Sequence, residues 1–305
     1  VPLSSTAVFD FPNIQALAQQ LLERLADAPQ PGQASNERKL FSTILQEPIA
    51  IVGMSCRVPG ALNPQQLWHQ LVQGFDASSE FPTQRSSLDV RYDPERAKPG
   101  FVYTRRGSFL DDIDQFDPEF FSFSPQEAQY IDPQQRLLLE QTWYSLENAG
   151  IASHDLRGTK TGVFLGVSES DYRQLAFESS TESTAFAGLG TGTAFAAGRL
   201  SFVFGFQGPS IVVDTACSSS LVSIHQACQS LRMGECDTAI AGGVHLMITS
   251  RMFYFLSQVN SLSVDGRCRA FDDSADGFGR GEGCGILVLK RIHDAQRDGD
   301  KIWAV

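Results

Sequence analysis

Between Ser210 and Gly234 the sequence sets one cysteine where thiol chemistry is well supported. Ser210-Ile-Val-Val213 has the apolar, β-branched texture of a buried strand, and the small residues that follow suit a tight turn. From about Ser218 a helix is expected, with Leu221, Ile224, Cys228 and Leu231 on one face and Gly234 as its stop. Cys217 then falls at the turn where that helix begins. Unpaired N–H groups and the positive end of the helix dipole gather there and favour a thiolate over a thiol. The same donors can stabilise the oxyanion formed when a thiolate attacks a thioester carbonyl. Spacing alone leaves two readings open: a nucleophile, or a small buried cysteine at a strand–helix junction.

A nucleophile of this kind usually works with a base, and histidine is the commonest. His225 stands eight residues after Cys217 on the expected helix. That is about 12 Å along the axis, against a hydrogen-bond reach of roughly 3 Å. His245 follows an expected strand, where it is either structural or turned toward a pocket. His69, His154 and His293 lie in polar helical or loop contexts and are expected at the surface. The sequence therefore offers a nucleophile without a convincing base, which weighs against an independent cysteine hydrolase.

The remaining cysteines (Cys56, Cys228, Cys236, Cys268 and Cys284) form no C-x-x-C pair. This argues against a zinc cluster or a disulfide-stapled secreted domain and suits reduced thiols in the cytoplasm. Cys217 is expected to be the one with enhanced reactivity. No metal ligand and no directly bound cofactor is expected.

The elements that must position Cys217 alternate between strand and helix. Ile49-Ala-Ile-Val-Gly53 reads as a strand buried on both faces of a parallel sheet. Leu67 to Val72 looks helical, residues 76–125 look like extended loop, and Gln134 to Ala149 forms a strong helix closed by Gly150. Buried strands are expected at Gly162–Val167, Ile211–Val213, Thr238–Gly242 and Gly285–Leu289. The expectation is an α/β fold in layers. Ahead of this body, Phe9-Asp-Phe-Pro12 and the apolar Ile14, Leu17, Leu21 and Leu25 predict a short amphipathic helix within residues 1–25. Residues 26–46, with Pro29-Gln-Pro-Gly32 and a polar run to Arg38, predict a flexible linker, and 47–305 forms the main domain.

Composition narrows the partners. The 305 residues carry 24 Lys+Arg and 35 Asp+Glu, and 24 − 35 gives −11, a surface that repels phosphate backbones. Nucleic acid is therefore not expected. No apolar run approaches the ~20 residues of a membrane helix, and the N-terminus lacks the features of a signal peptide. Two motifs mislead. Gly188-Leu-Gly190-Thr-Gly192 has no strand before it, so a dinucleotide loop is not expected. Asp272 to Gly277 resembles the start of a calcium loop, but Gly283 occupies the closing position where a glutamate is needed.

Asp214-Thr-Ala-Cys217-Ser-Ser-Ser-Leu221 resembles the active-site signature of ketosynthase (beta-ketoacyl synthase) domains of modular polyketide synthases. Glu47 to Gly60, Asp132-Pro-Gln-Gln-Arg-Leu-Leu-Leu-Glu140, Ala197-Gly-Arg-Leu-Ser201, Gln207-Gly-Pro-Ser210, Asp265 to Asp272 and Gly281-Glu-Gly-Cys-Gly285 agree with it. The resemblance covers residues 47–305. Val8-Phe-Asp-Phe-Pro12 and its helix are similar to the last helix of an acyl carrier domain.

The resemblance implies the N-terminal half of a thiolase-like fold, in α/β/α layers, and a homodimer. It also implies decarboxylative Claisen condensation. Cys217 would take an acyl chain from the 4'-phosphopantetheine arm of a partner acyl carrier domain and pass it to a malonyl-type extender. Other domains of the synthase would be neighbours. Two histidines and a lysine of the family's second half would follow Val305, so the chain alone is expected to accept acyl groups without condensing them. Ile302-Trp-Ala-Val305 reads as the opening strand of that second half, cut off before it pairs. The alternative is a non-elongating ketosynthase acting as an acyl-transfer gate or scaffold. Two departures from the pattern stand out: Arg85-Ser-Ser87 replaces Arg-Trp-Asp, and Ile131 replaces Met before Asp132, at a place expected near the substrate pocket.

Overall fold

A computed structural model describes residues 47–178 and 185–305. The helix expected within 1–25 and the linker at 26–46 lie outside the described residues. In chain order the elements are β1 (Ile49–Arg57), α1 (Pro64–Gln73), β2 (Ser79–Glu80), β3 (Arg106–Gly107), α2 (Pro125–Tyr130) and α3 (Pro133–Ala149). Next come β4 (Thr161–Gly166), α4 (Asp171–Glu178), α5 (Ala185–Thr191), α6 (Phe195–Phe204), β5 (Ser210–Val213) and α7 (Ser219–Arg232). The last are β6 (Thr238–His245), α8 (Arg251–Gln258), β7 (Gly283–Arg291) and α9 (Ile292–Asp298).

Five strands form one sheet in the order β1-β7-β6-β4-β5. β4 pairs parallel with β5 and with β6, whereas β7 runs antiparallel to both β1 and β6. This corrects the reading of Ile49–Gly53 as a parallel strand. An apolar run records burial on both faces and says nothing of the neighbour's direction. β1 is also longer than expected, reaching Arg57 past a register shift between Ile51 and Gly53.

Alternate residues of each strand feed two separate cores. Ala50, Val52, Val163, Leu165, Ile240, Ile286 and Val288 pack with Leu138 and Leu146 of α3 and Leu200 and Phe204 of α6. Phe164, Ala239, Ala241 and Leu289 pack on the opposite face with Ala227 and Leu231 of α7. Helices thus cover both faces of the sheet, the layered α/β/α arrangement expected. The long helix α3 has clean ends. Asp132 caps its start, with Pro133 in the first turn, and Gly150 closes it at φ 71°.

Residues 76–124 are largely irregular, as expected, apart from the β2–β3 ribbon and a short 3-10 turn. Their packing centres on Tyr103, Phe109, Met247 and Phe253. Arg85 and Glu282 form a buried ion pair beneath these loops, their side chains 12% and 0% exposed. The C-terminal residues also differ from expectation. Ala304 forms an antiparallel bridge to Ile51, through Trp303 N–H to Ile51 O and Ile51 N–H to Ala304 O, each 2.9 Å. The segment pairs with the outer edge of β1.

Candidate active site

The three mutually parallel strands end on the same side of the sheet. Their outgoing loops are residues 167–170 after β4, 214–218 after β5 and 246–250 after β6. The carboxyl ends of parallel strands are where α/β sheets build sites, because helices start there and loops converge. Cys217 lies in the loop after β5, the end strand of the sheet.

The turn between β5 and α7 is held by its own side chains. Ala216 N–H donates to Asp214 Oδ1 at 3.0 Å, and Thr215 N–H donates to Ser219 Oγ at 2.9 Å. Ser219 Oγ–H in turn donates to Ala216 O at 2.6 Å, and Ser218 Oγ lies 2.9 Å from both Thr215 O and Thr215 Oγ1. None of these bonds uses the Cys217 amide. Ala216 has φ 55°, a left-handed conformation that costs a residue with a Cβ about 1 kcal/mol or more. The reversal lifts the next side chain outward, and Cys217 is exposed. The alternative of a buried structural cysteine is thereby removed.

Below this turn, α7 comes unusually close to the sheet. A Cβ on Gly166 would lie 2.5 Å from Ser220 N, and one on Gly243 would lie 2.9 Å from Gly166 O and from Ser220 Cβ. Only glycine permits that approach. Ser223 Oγ lies 2.9 Å from Gly242 O, joining the helix to β6. The buried positions of α7 are accordingly Ser219, Ser223, Ala227, Ser230 and Leu231. Leu221, expected inside, is 71% exposed. A helix this close to backbone has room for hydroxymethyl and methyl groups, so the larger side chains turn away.

Neighbouring loops complete the setting. Ser168 Oγ is 3.3 Å from Ser219 Oγ, linking the loop after β4 to the Cys217 turn. Asp171 Oδ2 accepts from Ile248 N–H and Thr249 N–H at 3.0 and 2.9 Å, tying that loop to the one after β6. Asp132 is buried; burial raises its carboxyl pKa, opposed by bonds from Ser170 Oγ and from Gln134. Ile131, beside it, is fully buried at the end of α2. Sequence reasoning quoted Asp132 and Gln134 only as parts of a motif and missed Ser168, Asp171 and the paired glycines. The Gly242-Gly243 doublet inside an apolar strand was the available signal.

The histidines fall as follows. His225 is exposed on α7, and His69, His154 and His293 are exposed. His245 is half-buried at the end of β6, its Nε2 3.2 Å from Arg280 Nη2. Burial, then the positive charge of Arg280, lower its pKa to about 4. Engaged in this way, His245 is structural. Among the cysteines, Cys56, Cys228, Cys236 and Cys284 have thiols raised by burial. Cys268 is exposed like Cys217, which the sequence did not indicate.

Comparison with known proteins agrees with this fold. The family described as "Beta-ketoacyl synthase, N-terminal domain" matches residues 46–295. Polyketide synthase GfsB of Streptomyces halstedii is 46% identical over 99% of this chain, which spans 5% of that protein. Erythronolide synthase EryA3 of Saccharopolyspora erythraea is 46% identical over 98% of this chain and 10% of its own length. The chain thus spans a small part of the polyketide synthases it resembles. Among solved structures, the oxazolomycin ketosynthase domain OzmH KS7 of Streptomyces albus superposes with a TM-score of 0.78 and 39% identity. That match covers 84% of this chain and 44% of the other. The module 6 ketosynthase of the bacillaene synthase from Bacillus subtilis gives 0.71 and 41%, covering 83% and 42%. The exposed cysteine turn, the mixed sheet of thiolase-like type and these matches lead to one conclusion: the chain belongs to the beta-ketoacyl synthase family and carries its N-terminal domain, as found in polyketide-synthase ketosynthases.

Proposed function

We propose that Cys217 is the acyl-accepting nucleophile of a polyketide-synthase ketosynthase. The observation that carries this reading is its exposure on a strained, self-bonded turn at the carboxyl ends of β4, β5 and β6. The Cys217 thiolate attacks the carbonyl of an acyl thioester on the 4'-phosphopantetheine arm of a carrier domain. A new C–S bond forms, the old one breaks, and the departing pantetheine sulfur takes a proton. The Cys217 amide, unclaimed by the turn, is free to donate to the oxyanion that forms in between. A malonyl-type extender then loses CO2, and the electron pair of the broken C–C bond attacks the Cys217 thioester carbonyl. The C–S bond breaks, the thiolate is restored, and a β-ketoacyl carrier leaves. The described residues around Cys217 support the acyl-transfer half of this reaction sequence.

The same reading includes a homodimer formed through β5, the end strand of the sheet among the described residues. Ile211 on that strand is 38% exposed, and the adjoining α6 leaves Phe202 84% and Phe195 46% exposed, a patch of the kind that marks an interface. Free cysteines suit a reducing cytoplasm. No described helix is long and apolar enough to cross a membrane.

The test is to incubate the chain with an acyl-pantetheine thioester and map the adduct by mass spectrometry. Acylation at Cys217, lost in Cys217→Ser, is the expected result. Acylation of another residue at equal rate overturns the assignment. Phe202→Asp should shift the chain toward monomer in sedimentation; an unchanged distribution removes the proposed interface.

A further inference from the structure

Gln134 stands in the first turn of α3 and is 2% exposed. Its side-chain amide bonds at both ends, to two different loops. Oε1 accepts from Leu246 N–H at 3.2 Å, in the loop after β6. Nε2 donates to Glu169 O at 2.6 Å, in the loop after β4, and lies 3.4 Å from Asp132 Oδ2. Asp132 Oδ2 also accepts from Ser170 Oγ–H at 2.5 Å, while Asp132 Oδ1 accepts from Gln134 N–H at 2.8 Å. Glu169 follows Ser168, whose hydroxyl meets Ser219 at the base of the Cys217 turn.

Such an arrangement exceeds what helix capping needs. Asp132 alone caps α3. The Gln134 carboxamide supplies one donor and one acceptor to two loops that no strand pairing joins at that level, and buried amides left unpaired are costly. We propose that Gln134 is a positioning residue that holds the loops after β4 and β6 in register around Cys217, with Asp132 fixing the orientation of its amide. It touches neither thiol nor substrate; it acts through Glu169, Ser168 and Ser219. The inference rests on the proposed role of Cys217 as acyl acceptor.

The geometry makes the sense of the amide testable. Gln134→Glu keeps the shape and the acceptor for Leu246 N–H. When ionised it has no donor for Glu169 O and faces the Asp132 carboxyl. Protonation restores a donor, and burial favours the protonated form. Gln134→Met removes both bonds at similar volume. For the parent and both variants, three quantities are measured across pH 5.5–8.5 (roughly the range of His and Cys titrations and of a carboxyl raised by burial): self-acylation of Cys217 by an acyl-pantetheine thioester, alkylation of Cys217 by iodoacetamide, and thermal midpoint. Small displacements of a site are worth up to ~10²-fold in rate. Acylation should fall about tenfold or more in both variants at pH 8, with iodoacetamide alkylation within about twofold of the parent, since a small reagent needs no aligned cleft. As pH falls, the ratio of Gln134→Glu to parent acylation should rise, while that of Gln134→Met stays flat. Acylation and alkylation falling together with the thermal midpoint would reduce Gln134 to a stability residue and overturn the proposal. Parent-like acylation in Gln134→Met would do the same. A parent that alkylates but is never acylated at Cys217 would instead sink the acyl-acceptor reading.

Discussion

His245 Nε2 accepts a hydrogen bond from Arg280 Nη2 across 3.2 Å, because a guanidinium has donors only. The imidazole is therefore neutral in the folded protein. Burial and the Arg280 charge lower its pKa from 6.5 to about 4, against an opposing pull from Asp171. An unfolded chain binds a proton at this histidine near pH 6.5, whereas the folded chain does so only near 4. Stability from this group is complete above pH 6.5 and declines as pH falls from there toward about 4. At most about 3 kcal/mol is involved, less what partial solvent exposure screens. Denaturant titrations at pH 7 and 5 should show the loss, and His245→Gln should flatten it. An equal pH dependence in that variant would assign the effect elsewhere.

Thiol labelling should follow geometry. Brief iodoacetamide treatment is expected to modify Cys217 first, Cys268 next, and the four burial-raised thiols last. Cys268 is exposed, yet its sulfur accepts from Gly279 N–H at 3.4 Å and has no helix start behind it. Peptide mapping at short times measures the order. Cys228 or Cys236 labelling ahead of Cys217 would contradict the placement of the turn.

Glu282 serves several partners at once. Its carboxylate accepts from Arg85 at 2.5 Å, Met247 N–H at 2.7 Å and Leu110 N–H at 2.6 Å. Glu282→Ala leaves a nearly buried guanidinium without its counter-charge, held only by the Met247 and Leu110 carbonyls, and two backbone donors without a partner, and should cost about 3–5 kcal/mol. Chemical denaturation gives the number. A loss below about 1 kcal/mol would mean that water replaces the carboxylate, which measured buried pairs rarely allow.

Gly166→Ala is expected to act on the site from beneath. The added methyl meets Ser220 N at 2.5 Å and Ser219 C at 2.6 Å, both backbone atoms that no rotamer change can move. A stability loss of about 1–3 kcal/mol should accompany slower acylation of Cys217. If the variant matches the parent in both, the helix start is looser than the contact implies.

The sequence made the α/β layering, the span of α3 and the place of Cys217 legible, since each rests on local signals: apolar runs, an Asp-Pro start with a Gly stop, a small-residue turn. Three features were not legible for a common reason. The direction of β1, the outward turn of Leu221 and the bridge from Gln134 to Glu169 and Leu246 all depend on residues far away in sequence. Helical periodicity ranks side chains by hydrophobicity, and in α7 the partner's nearness decided instead. Against the glycines of β4 and β6, serine and alanine fit where leucine does not.

That glycine-lined contact has a consequence for how such a domain diversifies. Where the helix that follows Cys217 rests on backbone, its height above the sheet is fixed by main-chain atoms and by the missing Cβ of two glycines. Side chains around the cleft are then free to drift without moving the sulfur. On the proposed role of Cys217, the shape of the accepted acyl group can change while the sulfur keeps its place, so chemistry and selectivity rest on separate atoms: main chain beneath the helix, side chains around it.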